Sequence, residues 1–243
     1  MAKAPLIWLN RPLEDSITFG EELREHGVAS LIAPVVHITR KPFTLPEEKP
    51  DALLLTSRHA AQALATMPLS WRELPTYCVG SATANAAAEL GGHHIIPGPS
   101  QVLALLPRMA ASLKEGSTLL YLAGEERSVE VGQLLEAHSI YTMTCEVYRA
   151  MAEHVLADKI VTAIAANTLT GVAFFSSRSA TITCKLLTQA GLSEAARGVE
   201  AFCISLNVAQ AAAQLPWAAL HACHHPTRHA MRELIVSKCL KTL

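Results

Sequence analysis

One α/β pattern is written twice along the 243 residues of this chain. LLLTSRHAAQAL (53–64) is answered by AFFSSRSATITCKLL (173–187), with Ser57 opposite Ser177 at a spacing of 120. YCVGSATANAAAEL (77–90) is answered by FCISLNVAQAAAQL (202–215), which sets Ala84 opposite Ala209 at 125. PSQVLALL against PTRHAMREL pairs Pro99 with Pro226 at 127, and LREHG against LEAHS pairs Leu23 with Leu135 at 112. The spacing drifts as loop insertions would make it drift. A repeat of this kind implies two copies of one α/β unit, each of about 115 residues, in place of a single large sheet. A cleft between two similar lobes is expected.

Short apolar strands alternating with Ala-rich helices are the pattern of parallel sheets covered by helices. Strands are expected at 6–10, 30–36, 51–57, 76–81, 93–97, 117–124, 141–148, 171–177, 200–205 and 220–226. Helices follow, among them one with Pro12 near its first turn and Gly27 past its end, and others at 58–66, 82–90, 100–113, up to about Ala137, and 153–166.

Composition narrows the function. Twenty Lys and Arg stand against 21 Asp and Glu, a net charge of -1, so no basic field exists to hold nucleic acid or an anionic membrane. Charged residues make up 17% of the chain, yet no apolar run approaches the roughly 18 residues that span a bilayer. The opening MAKAPLIWLNRP reads as a first strand and not as an export signal, so a cytoplasmic protein is expected. The six cysteines form no C-x-x-C pair and are expected to be free, mostly buried thiols. His221, Cys223, His224 and His225 cluster in LHACHHP, but on a strand alternate residues point to opposite faces. No metal site is expected there.

In an open parallel sheet, ligands bind beyond the carboxyl ends of the strands, where helix N-termini present unpaired N–H groups. Thr56, Ser57 and Arg58 end one strand here, and Gly80, Ser81 and Thr83 end the next. Gly124 precedes Arg127, and Ser176, Ser177 and Arg178 repeat the first set. Each hydroxyl alone reads first as a helix cap. Their recurrence in both copies reads as an anion-binding rim, since backbone N–H groups bind anions without adding formal charge. No G-x-G-x-x-G or G-x-x-x-x-G-K-[ST] loop accompanies the rim, which argues against a nucleotide, and no G-x-S-x-G argues for a nucleophilic serine. Tyr148, in CEVYRA at a strand end, is a candidate proton donor as well as a packing residue.

The chain resembles the uroporphyrinogen-III synthase family over essentially its whole length. The matching pieces are NRP (10–12), LREHG (23–27), Pro34, LLLTSRHA, VGSATA (79–84), LYLAGEERS, EVYRA, FFSSRSA, AFCIS and HPT (225–227). Each is short; their order and spacing carry the likeness, and the family's own two-fold repeat agrees with the one above. The resemblance implies an α/β protein of two Rossmann-like (flavodoxin-like) lobes with parallel sheets, joined by a two-strand crossover, with a cleft and hinge motion between them. Lobe 1 would comprise residues 1–36 plus 152–243 and lobe 2 residues 44–145, with linkers at about 37–43 and 146–151.

The implied reaction converts hydroxymethylbilane, a linear tetrapyrrole with eight carboxylates, into uroporphyrinogen III with loss of water, inversion of the last pyrrole and no cofactor. Departure of the hydroxyl leaves an azafulvene cation; the substituted carbon of the terminal ring attacks it, and the spiro intermediate fragments and recloses. By residue matching, Thr56, Ser57, Gly80, Ser81, Thr83, Gly124, Ser176, Ser177 and Asn207 would hold carboxylates, with Arg11 of the R-P pair, and Tyr148 would assist departure of the hydroxyl. The chain departs from the family where Ile204–Ala209 replaces a glycine- and threonine-rich stretch: Asn207 can stand in for a threonine donor, and Val208 cannot. Arg58 and Ser177 also stand where proline is common. A monomer is expected, with the upstream synthase that supplies hydroxymethylbilane as a candidate partner. The rival of another class is a non-catalytic two-lobed sensor for a small polyanion. That class calls for an export signal or a helix-turn-helix module, for which residues 1–5 leave no room.

Overall fold

A computed structural model of the chain describes residues 4–99, 101–127 and 129–240. Ser100 of PSQVLALL, Ser128 of LYLAGEERS and the opening Met1, Ala2 and Lys3 lie outside the described residues. β1 (Leu6–Leu9), α1 (Leu13–Arg24), β2 (Ala29–Ile32), β3 (Val36–Arg40) and β4 (Ala52–Leu55) come first. They are followed by α2 (Arg58–Ala61), a 3-10 segment (Gln62–Thr66), α3 (Leu69–Arg72), β5 (Thr76–Cys78), α4 (Ser81–Glu89) and β6 (Ile95–Pro97). Then come α5 (Val102–Ser112), β7 (Thr118–Gly124), α6 (Val131–Glu136), β8 (Tyr141–Ala152) and α7 (Asp158–Ala165). β9 (Gly171–Phe174), α8 (Ser177–Gln189), β10 (Glu200–Cys203), α9 (Leu206–Ala212), β11 (Ala219–Ala222) and α10 (Arg228–Leu240) complete the chain.

Two compact units result. Unit 1 takes the residues up to His37 and those from Met151 onward, and unit 2 takes Ile38–Ala150. The boundaries therefore fall inside β3 and β8.

Unit 1 holds a five-stranded sheet in the order β11-β10-β9-β1-β2, its neighbours paired in parallel. Unit 2 holds a six-stranded sheet in the order β3-β8-β7-β4-β5-β6, in which β4 pairs in parallel with β5 and β7, β5 with β6, and β7 with β8. The two sheets are one design cut at different places. Reading β9, β10, β11, β1 and β2 as counterparts of β4, β5, β6, β7 and β8 turns the first order, taken from its other edge, into the second without its edge strand β3. Unit 1 is thus a circular permutation of unit 2, with the chain termini falling between its third and fourth strands in that count.

The buried strands explain their composition. A parallel strand covered on both faces is apolar throughout and does not alternate with polar residues. In β4, Leu53 and Leu55 pack with Ala60, Leu64 and Trp71, while Ala52 and Leu54 pack with Leu105, Met109 and Leu135. β7 divides the same way, Leu120 and Leu122 on one face and Leu119, Tyr121 and Ala123 on the other. In unit 1, Ile7, Leu9, Phe19, Phe202 and Met231 form the corresponding core. No helix of the described residues is long and apolar enough to cross a membrane.

Three sequence expectations are corrected in detail. The strand expected at 30–36 is two strands, β2 in one sheet and β3 in the other. Pro34 lies in the break; its nitrogen has no proton for a ladder, and ring sterics bias the residue before it. The helix expected at 58–66 keeps only α2 as α-helix and finishes in a 3-10 segment, because Pro68 forbids continuation and a helix end tightens readily to that form. The helix expected from 153 starts only at Asp158, since β8 runs on to Ala152 and the Glu153 N–H donates to the Val35 carbonyl at 2.9 Å. Asp158 then places its carboxylate at the positive end of α7.

Candidate active site

Strand ends and helix caps place the site residues. In unit 2 the chain leaves β4 through Thr56 and Ser57; the Ser57 hydroxyl accepts from the His59 N–H at 3.2 Å and caps α2. In unit 1 the Ser176 hydroxyl caps α8 by accepting from the Ser179 N–H at 3.1 Å, and it donates to the Ser179 hydroxyl at 2.9 Å. By cap position the counterpart of Ser57 is therefore Ser176, 119 positions on. Ser177 is one step further; it donates to the Asn207 carbonyl at 3.4 Å and so joins the starts of α8 and α9. After β5 the capping position of α4 belongs to Gly80, whose φ of 77° is the left-handed region that favours glycine. After β10 the same place belongs to Ser205, whose hydroxyl accepts from the Val208 N–H at 3.4 Å. Ser81 is exposed beside Gly80, Thr83 is buried on α4, and Asn207 is exposed on α9. Arg11 pairs with Asp15 at 3.2 Å, and its guanidinium carbon lies 4.2 Å from the Phe175 ring centroid.

Strand order singles out one place in each sheet. In a doubly wound sheet, ligands bind where two neighbouring strands send their connections to opposite sides. In unit 2 that place lies between β4 and β7, and a cavity of about 410 Å³ opens there. Thr56, Gly124 and Tyr148 line it, together with Tyr121, Arg127 and Gln101. In unit 1 it lies between β1 and β9, whose ends carry Arg11 and Ser176. The candidate residues thus fall into two groups: Thr56, Ser57, Gly80, Ser81, Thr83, Gly124 and Tyr148 in unit 2, and Arg11, Ser176, Ser177 and Asn207 in unit 1.

Within the cavity, Tyr148 lies directly over Gly124. A Cβ on Gly124 would stand 2.8 Å from Tyr148 Cζ and 2.9 Å from its hydroxyl oxygen, so only glycine leaves room for the ring. The local register makes this contact. β7 and β8 pair regularly as far as Ala123 with Glu146, then slip by one residue so that Gly124 faces Tyr148. Bulges of this kind re-aim side chains beside functional sites. The Glu125 N–H donates to the Tyr148 carbonyl at 2.9 Å and holds the slipped register, while the Tyr148 ring leans on His59 with centroids 5.9 Å apart.

The charged residues that line the cavity are Glu126 and Arg127, and Arg127 is firmly anchored. Its Nη1 donates to the Gly124 carbonyl at 3.1 Å and to Glu146 at 3.0 Å, and Lys41 reaches the other Glu146 oxygen at 2.7 Å. The Lys41 ammonium first, and the Arg127 guanidinium second, hold the Glu146 carboxyl below the usual carboxylate range. The same contacts raise Lys41 and Arg127 above their ordinary values, the hydrogen bond to Glu146 leading in both. Also lining the cavity, the Thr56 and Tyr121 hydroxyls share a hydrogen bond of 3.0 Å. Burial is the main cause that pushes the Tyr121 phenol up, so at neutral pH it is an uncharged donor.

Sequence reasoning named Arg127 as part of the rim but missed Tyr121, Gln101 and the Lys41–Glu146 pair. Tyr121 had a signal: it is the one polar-tipped side chain in LLYLA (119–123), on the same face as Leu119 and Ala123. The histidine and cysteine cluster resolves differently from a metal site. His221 takes the Glu200 carboxylate at 2.7 Å and stacks on Phe202, Cys223 is buried in the unit 1 core, and His224 and His225 are exposed. Among the described residues no three His, Cys, Asp or Glu stand where they could hold a metal ion. All six cysteines are free, Cys145 being the one not fully buried.

Comparisons with known proteins agree with the fold. The fold is similar to that of the uroporphyrinogen-III synthetase of Helicobacter pylori, at 17% identity and a TM-score of 0.62 over 97% of this chain and 99% of the other. It is also similar to a mutant uroporphyrinogen III synthase of the extremely thermophilic bacterium Thermus thermophilus, at 17% identity and a TM-score of 0.56 over 99% of this chain and 100% of the other. No curated protein matches the chain. The family model described as uroporphyrinogen-III synthase HemD matches residues 18–233, which include both repeats, the unit 2 cavity and every candidate residue except Arg11. With the doubly wound permuted pair of sheets and a match across nearly its whole length, the chain belongs to the uroporphyrinogen-III synthase family.

Proposed function

We propose that Tyr148 is the proton donor of this enzyme and that the unit 2 cavity receives the reacting end of its substrate. The reaction of the family is the cyclisation of hydroxymethylbilane to uroporphyrinogen III with inversion of the last pyrrole and loss of water; the chain is a cyclising lyase of tetrapyrrole biosynthesis. The bond that breaks first joins the terminal methylene carbon to its hydroxyl. The hydroxyl leaves as water once it has taken the phenol proton of Tyr148, and the carbon is left as the azafulvene cation. After attack, fragmentation and reclosure, one proton is lost from the new macrocycle, and the phenolate takes it back. No residue need form a covalent bond. The protein's task is to hold the substituted carbon of the last ring against the electrophile before the free position reaches it.

The observation that carries this reading is the convergence of Tyr148, Gly124, Thr56 and Arg127 on one cavity at the switch point of the unit 2 sheet. A phenol fixed by a glycine seat and a bulged register is positioned as a general acid needs to be. The reading assigns substrate carboxylates to Thr56, Ser57, Gly80, Ser81, Thr83 and Gly124 in unit 2, and to Arg11, Ser176, Ser177 and Asn207 in unit 1. Strand-end hydroxyls and amides suit that role, because charge-assisted hydrogen bonds to carboxylates are roughly twice as strong as neutral ones. It also has the protein working in the cytoplasm as a monomer without a cofactor, supplied by the synthase that makes hydroxymethylbilane.

The test uses freshly generated hydroxymethylbilane, oxidation of the products and separation of the porphyrin isomers. The protein is expected to give the type III isomer, and type I alone, the spontaneous product, would reject the activity. Tyr148→Phe is expected to lower kcat several-fold or more with the melting temperature unchanged; a parental kcat removes Tyr148 from the mechanism.

A further inference from the structure

We infer that Tyr121 is a substrate-contacting residue, forming with Thr56 a two-hydroxyl unit that donates a hydrogen bond to one carboxylate of the bound tetrapyrrole. The inference rests on the reading of the unit 2 cavity above and adds to it a further lining residue, carried by β7 as Gly124 is.

The hydroxyl count is the starting point. Thr56 Oγ1 and Tyr121 Oη lie 3.0 Å apart and share one hydrogen bond, in which either can donate. Two hydroxyls bring two protons, and one bond between them uses one. Whichever oxygen accepts keeps its own O–H for another partner, and both residues line the cavity. The pair is held rigidly. Tyr121 is 5% exposed, its ring packed in the core with Leu119 and Ala123, and Thr56 follows the fully buried Leu55 of β4. A phenol on a buried ring has little rotamer freedom to lose on binding. Parallel pairing of β4 with β7 sets the spacing, placing Leu54 beside Tyr121 and Leu55 beside Leu122.

The chemical class of the ligand follows from the surroundings. Burial, aided by the neighbouring Tyr148, keeps the Tyr121 phenol protonated, so the unit offers a proton and not a charge. Arg127 lines the same cavity, its guanidinium held by the Gly124 carbonyl and Glu146. Glu126 lines the cavity as well and offsets that cation, so the ligand class rests on the donor: an uncharged O–H suits an accepting oxygen, and carboxylate oxygens are what this substrate carries. The cavity of about 410 Å³ has the volume of a small-ligand site, of order 300 Å³ or more, and accommodates part of the tetrapyrrole.

The experiment measures initial rates of type III formation against hydroxymethylbilane for the parent, Tyr121→Phe, Thr56→Val/Tyr121→Phe and Tyr148→Phe. The double variant removes both hydroxyls together and leaves neither oxygen orphaned. The double variant, which removes every free O–H of the pair, is expected to raise KM about tenfold with kcat within about twofold, the size expected for one hydrogen bond to a charged group. Tyr121→Phe alone is expected to raise KM by less, because the Thr56 O–H that it releases can turn to the same substrate oxygen. A purely structural pair would lower the melting temperature of Tyr121→Phe and leave KM alone in the folded double variant, and that result overturns the inference. Tyr148→Phe separates the two claims: its effect lies in kcat. A fall in kcat there with parental KM in the double variant rejects Tyr121 and keeps Tyr148, and the reverse pattern rejects Tyr148 and keeps Tyr121.

Discussion

Gly124→Ala tests the seat of the proposed proton donor most directly. Gly124 lies in β7 and is not among the glycines with positive φ, so alanine meets no backbone strain there. What it meets is Tyr148. The new Cβ would stand 2.8 Å from Cζ, 2.9 Å from the hydroxyl oxygen and 3.0 Å from Cε2. Carbon atoms rest at about 3.5 Å or more, so the ring must withdraw by roughly 0.7 Å. The ring is half-buried and can swing, which puts the stability cost near the low end of overpacking, about 1 kcal/mol. Function should suffer more, since a misplacement of about 1 Å can cost a hundredfold in rate. We expect kcat for type III formation to fall about 10- to 100-fold while the melting temperature drops by only a few degrees. In a Tyr148→Phe background the hydroxyl is already gone, so adding Gly124→Ala should change kcat little further. A Gly124→Ala enzyme that turns over like the parent would refute the claim that this contact positions the phenol.

Two other perturbations bear on separate parts of unit 2 and on the cysteines. Glu146→Gln should loosen Arg127 and Lys41 together and raise KM. Because the folded protein holds the Glu146 carboxyl below its unfolded value, its stabilising effect is complete above about pH 4.3 and drains away as pH falls through the lower, folded value. Melting temperatures of parent and Glu146→Gln should therefore differ at pH 7 and converge in acid, and a gap that does not narrow as pH falls would contradict the assignment. The gap should also shrink with added salt, because Glu146 and Lys41 are partly exposed. Burial pushes the Cys78 and Cys203 thiols up to about 12, so in the folded protein at pH 8 they should resist a disulfide reagent that titrates all six cysteines after denaturation. Labelling in the native state should begin at Cys145, and mass mapping that finds Cys78 modified first would show that unit 2 opens far more readily than its packing suggests.

Much of the architecture was legible in the residues. The pairing of LREHG with LEAHS and of PSQVLALL with PTRHAMREL already matched α1 with α6 and α10 with α5, which is the correspondence the permuted sheets display. Even where the first alignment was one residue out, setting Ser57 against Ser177 and not Ser176, it put capping hydroxyls at the same strand end. The errors lay where chain-local pattern met a constraint from elsewhere. LIAPVV looks like one strand because every side chain in it is apolar or proline, and only its two sheets divide it. EHVL looks like the start of a helix, but Glu153 is held in extended form by Val35, more than a hundred residues earlier.

The site shows the same division more sharply. From Thr56, Ser57, Gly80, Ser81 and Ser176 a reader can tell which ends of the strands matter, since capping and αL preferences are properties of a few consecutive residues. Nothing local says that Tyr121 meets Thr56 across 65 positions, or that Tyr148 rests on Gly124. Those contacts depend on which strands become neighbours, on their parallel register and on a one-residue slip between β7 and β8. Period and punctuation are written along the chain and determine strands, helices and the repeat. Distances between hydroxyls are decided only when the sheet closes, because hydrogen-bond register between strands is set by the packing of both their faces at once.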